Sequence, residues 1–336
     1  RAVRESVGVL DLPGFTKIDI QGPGAEAYLD RLFATKLPKV GRVTLCYALL
    51  PDGKVLSEIT LSRLADDHFY AVGAASAEWH DLDLLEHALP DDGSVTLTNR
   101  SAELGSLIVI GPHARDVLAQ ITTSPVDGAS FPWLTIRDLD TVAGQVRTLR
   151  VNYVGELGYE LHASQDQLPA LYAAVWAAGE QYGIRDVGIY AVDSLRLDKC
   201  YRSWKQDLEI GFSPFDASLD RFVDMGKPDF VGKAALEAEL AGGGPAYRFV
   251  PMVLDEPGTA DAPFCATVLD ADGEDIGIVT SGGWSFTLDC SIALGYVRPA
   301  FAEAGTKVGV KVYGQVVSAT VQAEPIYDPT NARLRA

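Results

Sequence analysis

The sequence predicts an α+β protein: two related α/β units whose antiparallel sheets face each other across a cleft, followed by a smaller C-terminal β domain. Three observations predict it. A strand, Gly-Pro turn and helix pattern is written twice; extended segments follow each copy; and from about Tyr247 the chain changes to short strands separated by Gly, Pro and Asp.

The first copy begins with Lys17–Gln21, which alternate as a short strand. Gly22-Pro23 breaks it, and GAEAYLDRLFAT follows with apolar residues at helical spacing. The second copy is LIVIGPHARDVLAQIT at 107–122, where Gly111-Pro112 matches Gly22-Pro23, Ala114 matches Ala25, Leu118 matches Leu29 and Ile121 matches Leu32. A register kept over a dozen positions points to a duplicated α/β unit, and two similar halves facing each other make a cleft.

The segments VLSEITLSRL and HFYAVGA after the first copy, and QVRTLRVNYVGELGYELHA after the second, read as antiparallel sheet. Ser164-Gln165-Asp166-Gln167 opens a helix as a capping box, with Leu168, Leu171, Tyr172, Val175 and Trp176 on one face and Gly183 after its end. That aromatic stripe is expected to face the core. DADGEDIGIVTSGG and KVGVKVYGQVVSATV predict a small barrel or sandwich, and Ala241–Ala246, rich in glycine, reads as the linker before it. The expected divisions are 1–104, 105–242 and 243–336.

At 336 residues the chain is too long for one small core, and with 47% apolar and 22% charged residues it has the composition of a folded protein. Lys and Arg total 28 against 46 Asp and Glu, and the resulting charge of −18 argues against nucleic acid and anionic membrane as partners. Cys46, Cys200, Cys265 and Cys290 form no CxxC pair, so neither a zinc site nor a disulfide framework is implied. No apolar run reaches the roughly 18 residues of a spanning helix, and RAVRESVGVLDL does not read as a signal peptide. The expected compartment is the cytoplasm, or the mitochondrial matrix in a eukaryote.

Phosphate-binding and nucleophile-elbow signatures are missing: there is no GxGxxG after a strand, no GxxxxGK[ST] and no GxSxG. A redox step would therefore need another chain or segment to hold a flavin or nicotinamide. What stands out is Val151–Leu161, VNYVGELGYEL, with two glycines and two carboxylates among aromatics. On the residues alone it reads as a surface hairpin, because charged residues beside turns are normally solvated.

YVGELGYEL closely resembles the YTGExGYE motif of the glycine-cleavage T-protein, or aminomethyltransferase, family. GVLDLPGFTKIDIQGPGAEAYLDRL resembles its opening block, and GIYAVDSLRLDKCYRSWKQDLEIGFSPFDASLDRFV resembles its central block. KPDFVGKAAL and IGIVTSGGWSFTLDCSIALGYV resemble its C-terminal blocks, so the similarity spans nearly the whole chain. KCYRSW and the KPDFVGK stretch look most like the folate domain of dimethylglycine and sarcosine dehydrogenases. The resemblance implies a folate cleft between the two α/β units and a C-terminal β-barrel domain.

Carried over position by position, it implies that Tyr153, Glu160 and Tyr201 line a tetrahydrofolate pocket, Glu160 accepting hydrogen bonds from the pterin. It implies packing for Phe230. Where the family has a mechanistic Asp, this chain presents Glu58, expected to stabilise positive charge on a one-carbon unit and then to accept a proton. Ala74 stands where the family often has Asn, and Val192 where it has Arg, so a donor and a cation are expected to be absent around the folate.

The function so implied is capture of the iminium, or of formaldehyde derived from it, made by oxidising an N-methyl amine of dimethylglycine or sarcosine type, giving 5,10-methylene-tetrahydrofolate. Two alternatives stay open. One is a demethylase passing a methyl group to folate. The other is a non-catalytic folate-binding accessory protein, on a partial likeness of Lys199–Gln206 to KGCYxGQE, although Cys200 reads as an ordinary helix-end cysteine. The resemblance also implies an FAD-dependent oxidoreductase module, upstream or in a partner chain, with Arg1 at a cut point or a junction.

Overall fold

Gly22 and Gly111 adopt one and the same backbone conformation, φ +127°, and each turns its strand directly into a helix. A Cβ at Gly22 would lie 2.2 Å from the Ser94 carbonyl oxygen, and one at Gly111 would lie 2.4 Å from that of Ser6. Only glycine fits either turn. The same two carbonyls accept the N–H groups of Gly24 and His113, both at 3.1 Å. The helices that follow, Ala25–Leu32 and Ala114–Ile121, have eight residues each and bury matching faces, Ala25, Leu29 and Leu32 in one, Ala114, Leu118 and Ile121 in the other.

The computed structural model describes residues 1–255 and 260–336. The first sheet has five strands in the order Val43–Leu49, Val55–Ala65, His68–Gly73, Thr16–Gln21 and Thr96–Asn99. The second has six: Arg185–Asp186, Gly8–Asp11, Leu104–Ile110, Gly158–Ser164, Gly144–Leu149 and Ile136–Thr141. The duplicated units exchange strands. Gly8–Asp11, which precedes the first unit in the chain, pairs with Leu104–Ile110 of the second. Thr96–Asn99, which precedes the second unit, pairs with Thr16–Gln21 of the first. Each sheet is thus completed by a strand delivered from beyond the other's start.

The helix expected to open with a capping box at Ser164 begins at Leu168 instead, because Ser164 still belongs to the preceding strand and Gln167 makes no side-chain cap bond, while Gly183 ends the following turn at φ +69°. Both the backbone N–H and the hydroxyl of Ser164 donate to Gln167 Oε1, at 3.1 and 3.0 Å. Leu171 and Val175 are fully buried, but Tyr172 and Trp176 are half-buried and stack on each other at the margin. The aromatic stripe is therefore core on its aliphatic side only.

The C-terminal strands Arg248–Leu254, Cys290–Val297, Asp275–Ser285, Thr267–Leu269, Lys307–Val312 and Gln315–Val321 close into a barrel, which leaves no free sheet edge. Phe230 is buried against this region, and Gly232 two residues later takes φ +88°. Among the described residues no helix is long and apolar enough to cross a membrane.

Each large sheet covers one face with helices, and the opposite faces meet. Val43, Tyr70 and Val72 of the first sheet pack on Ile136 and Leu149 of the second. Farther along the same face, Tyr47, Leu49 and Val55 pack with the barrel residues Leu294 and Tyr296. The helix Ile189–Asp198 lays Val192 and Leu195 on Ile108 and Ile110 of the second sheet. The two sheets, this helix and the barrel thereby pack together on the faces turned away from the large helices.

Candidate functional site

Strand alternation decides which side chains lie on those meeting faces. In the antiparallel register Glu58 stands opposite Tyr47 and Ser62 opposite Tyr70, on the face of the first sheet turned away from its helices. Glu160 stands opposite Ile108 and Leu149 on the corresponding face of the second. The two carboxylates therefore belong to opposing walls.

Glu58 accepts a 2.7 Å hydrogen bond from the Tyr47 hydroxyl. Burial pushes its carboxyl up to about 7; the Tyr47 hydrogen bond and the Arg202 guanidinium oppose that rise, while Asp207 adds to it. Glu58 nevertheless keeps some solvent contact, and Tyr153 is 38% exposed. The Tyr153 ring stacks on Tyr201, centroids 5.9 Å apart at 26°, and its hydroxyl donates to the Arg202 carbonyl. Burial drives the Tyr153 phenol well above its ordinary range; the Arg196 guanidinium opposes this and Glu58 reinforces it.

Tyr153 and Tyr201 are thus in contact, and Glu58 is near enough for its charge to act on the Tyr153 phenol. Glu160 is set apart from them: it is 8% exposed, its Oε2 is 3.5 Å from His162 Nε2, and Lys17 is its cationic neighbour. Among the described residues no hydrogen bond joins Glu160 to the other three.

Two expectations are corrected. The Val151–Leu161 stretch is not a surface hairpin, because Glu156 is 1% exposed and receives Arg4, Arg333 and the Tyr327 hydroxyl. Gly158 begins the strand after the loop, so Glu156 and Glu160 serve different places. Nor are cations missing. Arg196, one helical turn beyond Val192, is fully buried and bonds Asp207 at 2.6 Å and the Ser281 hydroxyl at 2.8 Å, while Arg202 is held by Glu324. Asp207 also accepts from the Thr280 and Ser281 hydroxyls, which ties this wall to the barrel. Tyr47, Arg196, Arg202 and Asp207 escaped the sequence reading, since nothing in their local spacing shows that they converge.

Sequence and fold comparisons decide the family. Residues 1–227 match the "GCVT N-terminal domain" and residues 248–328 the "Glycine cleavage T-protein C-terminal barrel domain". The chain belongs to the glycine cleavage T-protein, or aminomethyltransferase, family. It is 32% identical to an aminomethyltransferase of Chloroherpeton thalassium, covering 97% of this chain and 88% of that protein. It is 34% identical to the mitochondrial dimethylglycine dehydrogenase of Mus musculus over its whole length, yet spans only 39% of that relative. The crystal structure of aminomethyltransferase T of the glycine cleavage system from Bartonella henselae superposes with a TM-score of 0.87 at 26% identity, covering 97% of this chain and 88% of that one. Family membership supports tetrahydrofolate binding and one-carbon transfer as the general chemistry of this fold.

The walls fit a reduced folate. A pterin is a flat heterocycle with adjacent N–H donors and further polar edge atoms, so it needs a carboxylate, additional polar partners and flat walls. Glu160 offers the carboxylate and the Tyr153–Tyr201 stack a flat wall. The buried Ser62 Oγ, Ser106 Oγ and His162 Nε2, all on the inter-sheet faces, lack a hydrogen-bond partner among the described residues. Orphaned buried polar atoms are costly unless something satisfies them.

Proposed function

We propose that this chain captures the one-carbon unit of an oxidised N-methyl amine, of dimethylglycine or sarcosine type, on tetrahydrofolate to give 5,10-methylene-tetrahydrofolate. The observation that carries the reading is Glu58, a partly exposed carboxylate that accepts the Tyr47 hydroxyl and whose pKa of about 7 lets it act in both protonation states near neutrality. When bound, tetrahydrofolate supplies the nitrogens that take the carbon. Ionised Glu58 stabilises the positive charge of the incoming unit and afterwards takes up a proton, with Tyr47 holding Oε2 in place. Glu160 receives the ring N–H donors, while Tyr153 and Tyr201 wall the ring.

The amine substrate comes to this reading from the dimethylglycine dehydrogenases that the whole chain resembles. Oxidation of the amine falls to an FAD-dependent module, fused or separate, since this sequence has no dinucleotide fingerprint. Joining the two steps is physically favourable: an iminium released to water hydrolyses, whereas an enclosed path raises its effective concentration. Cys200 argues against the accessory-protein alternative, because it is fully buried and its thiol is pushed up to about 12 by burial, which makes it unreactive.

The test is product analysis with the purified chain, tetrahydrofolate and formaldehyde or enzymatically oxidised sarcosine. Accelerated formation of methylene-tetrahydrofolate is expected. Formation of methyl-tetrahydrofolate from a methyl donor would favour the demethylase alternative, and failure of tetrahydrofolate to bind at saturating concentration would end the folate reading.

A further inference from the structure

His162 stands in the middle of a line of three side chains that crosses from one sheet to the other. It lies two residues beyond Glu160 on the strand Gly158–Ser164, so both side chains reach the inter-sheet face. On one side its Nδ1 is 2.8 Å from the hydroxyl of Tyr70, a residue of the opposite sheet, whose ring meets the imidazole edge-on. On the other side its Nε2 is 3.5 Å from Glu160 Oε2 and has no hydrogen-bond partner among the described residues, although the side chain is completely buried.

This geometry selects one form of the ring. Burial drives the Tyr70 phenol far above its ordinary range, so the hydroxyl keeps its proton, and the one partner it has among the described residues to receive that proton is Nδ1. A neutral imidazole that accepts at Nδ1 carries its own proton on Nε2, the nitrogen turned toward Glu160. Burial also lowers the His162 pKa; Glu160 opposes this, and Lys17 and Arg147 add to it. Behind Tyr70 stand Arg147, Asp19 and Arg100. Lys17 is itself buried, its ammonium bonded to the carbonyls of Pro13 and Phe15 at 3.0 and 2.8 Å.

We propose that His162, held as the Nε2–H tautomer by Tyr70, is the positioning residue for Glu160, and that this line from Tyr70 determines how well the site accepts a heterocycle bearing adjacent N–H donors. The inference rests on the folate reading of Glu160. A neutral donor steadies one carboxylate oxygen without cancelling the charge, and the remaining lone pairs stay free for the ligand. A cationic histidine would instead pair with Glu160 as an ion and compete with the ligand. The 3.5 Å separation is long for a hydrogen bond, and contacts of this kind tighten when a ligand draws the carboxylate into place.

The tautomer is read first, on the ligand-free chain, by nitrogen NMR of a 15N-histidine-labelled sample. His162 is expected as Nε2–H at neutral pH, and Tyr70→Phe is expected to remove that preference. A cationic ring or an Nδ1–H tautomer in the wild type overturns the proposal. Folinic acid is then titrated by calorimetry into folded variants. His162→Leu is expected to bind about 10- to 100-fold more weakly, while His162→Gln, which restores an N–H near the Nε2 position, stays within about threefold of the wild type. Equal affinity in wild type and His162→Leu overturns the positioning role. If His162→Leu does not fold, Tyr70→Phe takes its place, with affinity equal to wild type as the overturning result. No binding by the wild type itself sinks the folate reading beneath it, an outcome distinct from a normal wild type with indifferent variants.

Discussion

Tyr47 and Glu58 stand directly opposite each other on neighbouring strands, and the Tyr47 hydroxyl donates to Glu58 Oε2 at 2.7 Å. This bond favours the ionised carboxylate, while burial favours the protonated one, and the balance lies at about 7.

The first prediction follows from that balance. If ionised Glu58 carries the transfer, kcat/KM should rise with pH through a limb near 7. Tyr47→Phe removes a hydrogen bond to the charged form, so Glu58 becomes a weaker acid and the limb moves to higher pH. A pH–rate profile of both proteins decides; a limb unmoved by the substitution would take Glu58 out of the titration.

Glu58→Gln preserves shape and removes charge. Folate affinity should persist while transfer slows by an amount worth a few kcal/mol. A rate within about threefold of wild type, under 1 kcal/mol, would leave Glu58 a structural role only. Stability gives an independent readout. Because the folded state holds the Glu58 proton more tightly than the unfolded chain, wild-type stability falls as pH rises from about 4.5 to about 7. Glu58→Gln should therefore melt above wild type at pH 8, by about 1–2 kcal/mol after discounting for residual solvation, with the gap closing toward pH 4.5. A gap independent of pH contradicts the assignment.

Glu160→Ala should weaken binding of tetrahydrofolate by about 2–3 kcal/mol, since it strands N–H donors of the ligand without an acceptor. Calorimetry measures this directly. Normal affinity would remove Glu160 from the pocket.

Gly22→Ala and Gly111→Ala should each cost about 2–4 kcal/mol, because an added Cβ collides with a backbone carbonyl at a positive φ. The two losses should be similar, as the turns are copies. Denaturant titration would show it; a loss below about 0.5 kcal/mol at either glycine would mean that its turn relaxes freely.

Glu156→Ala should destabilise the chain by about 1–3 kcal/mol while leaving Glu58 chemistry in place, since it takes one of two carboxylates from the buried Arg4, which keeps Asp198, and releases Arg333. A stable variant with impaired folate binding would instead assign Glu156 to the ligand.

Much of the fold was legible in order along the chain. The Gly-Pro turns announced a duplication because a positive φ against a carbonyl leaves no alternative to glycine, and the later Gly-rich strands announced a β domain. The strand exchange was not legible: Gly8–Asp11 and Thr96–Asn99 are short, and nothing in four residues tells a strand which sheet it will complete. The site divided in the same way. Glu58, Tyr153, Glu160 and Tyr201 were reached through motif resemblance, whereas nothing in the local spacing singles out Tyr47 or His162.

By itself, then, the sequence determined the duplicated units and the β-rich C-terminus, because these depend on local backbone geometry and on periodicity, while the motif residues came from resemblance to a known family. Only the tertiary structure decided that Glu156 of the YVGELGYEL stretch is buried, that Arg196 and Arg202 supply cations, and that Tyr70 reaches His162 across two sheets. Those outcomes depend on which strand faces meet, and the charges and hydrogen bonds they create join residues scores of positions apart. A carboxylate's pKa follows from such neighbours and its burial, so Glu58 became a group that titrates near neutrality only when the sheets and the barrel closed around it.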